Sequence, residues 1–166
     1  SHLYIAAKQR LKEGVYVILG KIMPQTKIDP LFEALFSCNI QVRVADLNYG
    51  NHLSNDRVLS YFHEVRVLWL SQNNLSELDV GGCGLIMTGA NVEYLQQAHL
   101  HQQLTLTLGL REVGKVRFTI IYQLCDSQTN HVIALGETHM GCFDYQNQKP
   151  TRAPQSLLDI FTHSKM

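Results

Sequence analysis

This sequence lacks long apolar runs: nothing in it approaches the roughly 18 consecutive apolar residues of a membrane-spanning helix. It also lacks a charge of one sign. Lys and Arg number 14, Asp and Glu number 14, and the net charge is +0. A nucleic-acid binder gains most of its affinity by neutralising phosphates, so this balance points away from one. The four cysteines, Cys38, Cys83, Cys125 and Cys142, are scattered singly. They show neither the paired spacing of a zinc site nor a disulfide framework, and read as reduced thiols in a cytoplasmic protein. The N-terminus lacks the basic, apolar and small-residue order of a secretory signal. Missing too are a Gly-x-Ser-x-Gly elbow, a phosphate-binding glycine loop and a dinucleotide fingerprint. His99-Leu100-His101 has a metal-compatible spacing, but without carboxylate or cysteine company it reads as a polar loop. Neither a metal nor a cofactor is expected.

What is present is an ordinary globular balance, 45% hydrophobic and 17% charged, over a length that suits one domain. Residues 1–30 read as an N-terminal extension, with Ala6 to Leu11 helix-like and Val15 to Leu19 either strand or helix. A single domain is expected over 31–166. Ile40, Val42 and Val44 alternate with Gln41 and Arg43, the period of a half-buried strand. Residues 46–51 form a turn-rich cluster, and Ser54 or Asn55 then suits a helix N-cap, with Asp56 favouring the positive end of the dipole.

The helix expected from Asn55 to Leu70 carries Val58, Phe62, Val65 and Trp69 on one face, and Leu59, Tyr61 and Leu68 widen its apolar surface. Such a helix belongs inside a larger structure. Its polar residues Asp56, Ser60, His63 and Glu64 share one stripe. Beyond Gly81-Gly82 the chain reads as strands: Leu85 to Leu95, an alternating run at Leu104 to Leu110, another at Val116 to Leu124, and Val132 to Phe143. Pro150 and Pro154 end the strands, and Leu157 to Phe161 suits a short closing helix. One strand, one long buried helix and four antiparallel strands make an α+β fold in which a sheet wraps around a central helix.

The stretch from Arg43 to Asn55, Arg-Val-Ala-Asp-Leu-Asn-Tyr-Gly-Asn-His-Leu-Ser-Asn, resembles the start of the hotdog-fold acyl-CoA thioesterases related to 4-hydroxybenzoyl-CoA thioesterase. Asp46, His52 and Asn55 fall on that family's motif, and residues 61–66, with Glu64 and Arg66, resemble its helix. Two positions depart from it. Asn48 replaces the second Asp of the family pair, and Asn51 replaces the glycine before the histidine. An amide cannot act as a base.

The resemblance implies an acyl-CoA thioesterase acting on an acyl-CoA or acyl-carrier thioester with water, without a metal. It also implies a homodimer or a dimer of dimers. The candidate catalytic residues are Asp46, Asn48, His52, Asn55, Asp56 and Glu64. In this reading Asn48 orients the thioester or water, His52 or a nearby carboxylate is the base, and the amides near Leu53 to Asn55 hold the oxyanion. The plainer reading makes Asp46 and Asn48 turn residues, His52 a satisfied, partly buried histidine, Asn55 and Asp56 a helix cap, and Glu64 and Arg66 a subunit contact. Two other functions stay open: a non-catalytic acyl-binding module, which Asn48 favours, and a hotdog dehydratase or hydratase.

Overall fold

The computed structural model describes residues 26–30 and 32–162, together with the backbone of Tyr16–Ile18 and Lys21–Met23. Those two segments, β1 (Tyr16–Ile18) and β2 (Lys21–Met23), pair antiparallel. Of the two conformations open to residues 15–19, the strand is therefore the one adopted at 16–18. The helix-like Ala6 to Leu11 lies outside the described residues.

The remaining strands form one antiparallel sheet. They are β3 (Ala34–Gln41), β4 (Gly84–Tyr94), β5 (Gln103–Arg111), β6 (Arg117–Asp126), β7 (Val132–Asp144) and β8 (Lys149–Thr151). Their order is β3-β5-β6-β7-β4, with β8 on the far end of β7. The alternation of Leu104, Leu106 and Leu108 puts all three side chains in the core.

Across this sheet lies α1 (Asn55–Gln72), whose Val58, Phe62, Val65 and Trp69 are buried as their spacing predicts. Phe62 stacks on Tyr122 with ring centroids 4.7 Å apart. A Cβ on Gly136 would stand 2.2 Å from the Phe62 ring, so only glycine lets helix and sheet approach this closely. The expectation of burial all around the helix is corrected. Tyr61 is buried, but Leu59, Val67 and Leu68 are 38%, 42% and 37% exposed, because the sheet covers one side of the helix.

Below the helix runs a polar chain, buried at Arg66, Tyr122 and Thr138 and open to solvent at His63. Arg66 Nη1 donates to Tyr122 Oη at 2.9 Å, and Tyr122 Oη bonds Thr138 Oγ1 at 2.8 Å. Arg66 Nε donates to Glu77 Oε1 at 2.5 Å, and His63 Nε2 lies 3.0 Å from Glu77 Oε2. Arg66 thus pairs within its own chain, where a subunit contact was one of the expectations.

Two local expectations are also corrected. The first strand of the domain ends at Gln41 and does not reach Val44. Arg43 and Asp46 close a 3-10 turn over Val44–Asp46, leaving Val44 71% exposed. Pro150 does not end the sheet but sits inside β8, opposite Phe143. A sheet edge tolerates its missing N–H. The closing helix, α2 (Gln155–Ile160), falls where a short one was expected and puts Leu157 and Ile160 into the core. Among the described residues no helix is long and apolar enough to cross a membrane.

Candidate active site

The loop between β3 and α1 is built by its own polar side chains. Asp46 is buried and accepts the Arg43 amide at 3.0 Å, Arg43 Nε at 3.2 Å and Nη2 at 3.3 Å, and the Tyr61 hydroxyl at 2.8 Å. Burial alone would raise its pKa, but these donors outweigh burial and hold it below the ordinary carboxylate value. With its lone pairs committed, Asp46 is an anchor for the loop.

Two residues on, Asn48 Oδ1 accepts the amides of Gly50 at 2.9 Å and His52 at 3.2 Å, an Asx turn. With Oδ1 committed to these amides, Nδ2 is the donor that Asn48 has left. Asn51 has φ of 62°, the left-handed region that asparagine tolerates better than other side chains, which explains why it can stand where the family has glycine. The turn closes with Asn48 N donating to His52 O at 2.9 Å. Asn48 and His52 then flank Gly50: a Cβ there would lie 3.2 Å from Asn48 Oδ1 and 3.7 Å from His52 Nδ1. The His52 ring meets His99 edge-on, centroids 5.1 Å apart, and the two residues form an isolated bridge.

The expected oxyanion donors are partly corrected. Leu53 N donates to Ala98 O at 2.8 Å and Ser54 N to Asp46 O at 2.9 Å, because the loop folds back on the segment after β4 and consumes both amides. The amide of Asn55, the first of the helix, has no carbonyl four residues back to bond. Ser54 is the N-cap, yet its hydroxyl donates to the Asp56 carboxylate. That bond holds the Asp56 pKa below its ordinary value.

Among the described residues two clefts lie against the helix, and they take three of the six candidates, while Asn48, His52 and Asp56 line neither. One, about 470 Å³, opens between β3 and α1 and is lined by Cys38, Arg43, Asp46, Tyr61, Glu64 and Leu68. Burial, and then the charge of Glu64, push the Cys38 thiol up to about 11, so it supplies no thiolate nucleophile at neutral pH. The other cleft, about 270 Å³, lies at the helix start between Asn55, Val58 and the chain that leaves β4 at Tyr94. So Asp46 and Glu64 face the larger cleft, Asn55 faces the smaller, and Asn48 and His52 meet in the loop. In the larger cleft the buried carboxylate of Asp46 is saturated and the Cys38 thiol stays protonated, which leaves Glu64 as its other carboxylate.

Tyr94, His99 and Tyr61 were not among the candidates. Tyr94 Oη donates to Asn55 O at 3.0 Å. No motif marks Tyr94, and the patterns that hold Tyr61 and His99 do not show their contacts with Asp46 and His52, since each of the three meets the site through a long-range pairing. No cluster of three or more metal-ligating side chains exists among the described residues.

The loop predicts an acid-sensitive fold. Asp46, and Glu77 beside Arg66 and His63, are both held below their ordinary values of 3.8 and 4.5, although burial opposes this in each. A depressed folded-state pKa gives stability that is complete above the unfolded value and is lost as pH falls through the folded one. Thermal melting should therefore be flat above about pH 5 and fall steeply below about pH 4. Asp46→Ala should cost about 2 kcal/mol at pH 7, the loss of charged hydrogen bonds to Tyr61 and Arg43, and should flatten the acid limb. Melting curves from pH 7 to pH 3 check both.

Residues 42–161 match the model of the thioesterase-like superfamily, and the chain belongs to that family. The 1,4-dihydroxy-2-naphthoyl-CoA hydrolase of Synechocystis sp. is 25% identical over 123 residues, 72% of this chain and 89% of that protein. The crystal structure of a 1,4-dihydroxy-2-naphthoyl-CoA thioesterase from Synechocystis superposes with a TM-score of 0.70 at 24% identity, covering 76% of this chain and 94% of the other. A Staphylococcus aureus protein in complex with CoA superposes with a TM-score of 0.71 at 15% identity, over 81% and 88%. The resemblance to hotdog acyl-CoA thioesterases and the α+β hotdog fold are thereby borne out, and so, at the level of the family, is a thioester hydrolase.

Proposed function

We propose that this protein hydrolyses an acyl-CoA thioester at the start of α1, with His52 as general base. The observation that carries this reading is the tight turn that joins Asn48 to His52 just before the first helical amide, that of Asn55, which lines a partly apolar cleft, in a chain of the thioesterase-like superfamily. Water, deprotonated by His52, attacks the thioester carbonyl. The Asn55 amide, at the positive end of the helix, and Asn48 Nδ2 receive the charge that develops on the carbonyl oxygen. The tetrahedral adduct then breaks its C–S bond, the thiolate takes the proton from His52, and a carboxylic acid and coenzyme A leave. Asp46 and Arg43 hold the loop, and Asp56 holds the helix cap, in this reading without touching the reacting atoms.

The reading extends to a cytoplasmic dimer. The four cysteines are unpaired, and among the described residues β4 bonds a neighbour strand on one side, leaving an edge that a second copy can satisfy. The Synechocystis hydrolase makes an aromatic acyl-CoA the first substrate to try.

The test is release of free thiol from acetyl-, octanoyl-, palmitoyl-, benzoyl- and 1,4-dihydroxy-2-naphthoyl-CoA. Turnover on at least one of them, reduced in Asn48→Ala, is the expected result. Tight acyl-CoA binding without any thiol release would instead favour the acyl-binding module, since an amide stands where the family carries a carboxylate.

A further inference from the structure

The cleft at the helix start is lined in part by a residue that no motif marks. Tyr94, the last residue of β4, is 48% exposed, and its hydroxyl donates to Asn55 O at 3.0 Å. This bond ties the end of an edge strand to the first turn of the helix. It also fixes the Tyr94 ring, which would otherwise turn freely at the surface, as a wall of the cleft. Burial, and then the neighbouring Asp56 charge, keep the hydroxyl protonated and so keep it a donor. The rest of the wall is mixed. Val58, Ala98 and Ile133 supply apolar surface, and Gln96 and Gln97 supply amides.

We propose that Tyr94 is the specificity-determining residue of this cleft, and that the cleft selects a compact, ring-bearing acyl group over a long fatty chain. This rests on the thioesterase reading above. Size is the first reason. At about 270 Å³ the cleft falls just below the ~300–1,000 Å³ of pockets that enclose drug-sized ligands, so it takes an acyl group and leaves the coenzyme outside. Shape is the second. A tyrosine ring pinned by its hydroxyl offers a flat, rigid face on which an aromatic acyl group stacks with little loss of freedom. Chemistry is the third. The amides of Gln96 and Gln97 can pair with ring hydroxyls that a fatty chain does not carry.

The experiment compares kcat/KM for naphthoyl-, benzoyl-, butyryl- and palmitoyl-CoA in wild type, Tyr94→Phe and Tyr94→Ala. Wild type should favour the two aromatic thioesters. Tyr94→Ala should lose about tenfold more on them than on butyryl-CoA, the equivalent of ~1.4 kcal/mol of differential transition-state binding. Tyr94→Phe keeps the ring and loses the anchor, so the order of preference should survive with a raised KM for the aromatic substrates. Far-UV circular dichroism confirms that each variant is folded. A wild-type preference for palmitoyl-CoA, or an equal loss on every substrate in Tyr94→Ala, would overturn the proposal while leaving hydrolysis standing. Turnover of none of them would remove the hydrolase reading itself, and this inference with it.

Discussion

His52→Ala should lower kcat for thioester hydrolysis by about a hundredfold or more while leaving KM within a few fold, the span expected when a general base is removed. The reasoning runs through what each group near the helix start has left to give. Asp46 spends its oxygens on Arg43 and Tyr61. Asp56 accepts the Ser54 hydroxyl, and its pKa is held down, which weakens it as a proton acceptor. Asn48 cannot accept a proton in this role at all. The imidazole of His52 remains. Its backbone is held from both sides, through Asn48 Oδ1 and the bridge to His99, so truncation to alanine removes the ring and keeps the turn. Thiol-release kinetics with saturating substrate measure the change in kcat. A rate within twofold of wild type would remove His52 from the chemistry and move the role of base to Asp56.

Arg66→Ala should destabilise the fold by about 3–5 kcal/mol, the range for removing one partner of a buried ion pair, and lower the melting temperature by roughly 10 °C. Arg66 is 6% exposed and joins three elements at once: α1, through Glu77 the segment leading into β4, and through Tyr122 the centre of the sheet. Its removal strands a half-buried carboxylate and opens the chain of hydroxyls that ends on Thr138. The remedy is as informative as the lesion. Arg66→Met combined with Glu77→Gln should recover part of the loss, because replacing the pair by groups without charge removes the unpaired charge along with the attraction. Chemical denaturation of the two single variants and the double variant gives the coupling energy. Additive effects would show that Arg66 acts through packing alone.

Much of this molecule is legible in its sequence. Val58, Phe62, Val65 and Trp69 recur at helical spacing, and Leu104, Leu106 and Leu108 alternate, so the central helix and the sheet against it follow from periodicity. Where the expectation fails, a competing local bond explains it. Val44 continues the strand period, but the Arg43–Asp46 pair closes a turn around it. Leu59 and Leu68 are apolar enough for burial, yet the sheet of one chain covers a single side of the helix.

The candidate site was half legible. The motif drew attention to Asp46, Asn48, His52 and Asn55, and three structural facts lie beyond it. Asp46 is an anchor because Tyr61, 15 residues away, donates to it. Leu53 and Ser54 lose their amides to Ala98 and Asp46. Glu64 shares a stripe with Asp56 but faces the other cleft. Contacts of this kind depend on how the loop folds back on itself. Neither spacing nor propensity records that.

The location of the centre is tested most directly by amide chemical-shift mapping, with an uncleavable thioether analogue of benzoyl-CoA titrated into the protein. The account predicts the largest shifts at His52, Asn55 and Asp56, together with Gln96 and Gln97 across the cleft. Shifts gathered instead at Gln41, Ser60 and Glu64 would place the ligand between β3 and the helix, and would contradict a catalytic centre at the helix start.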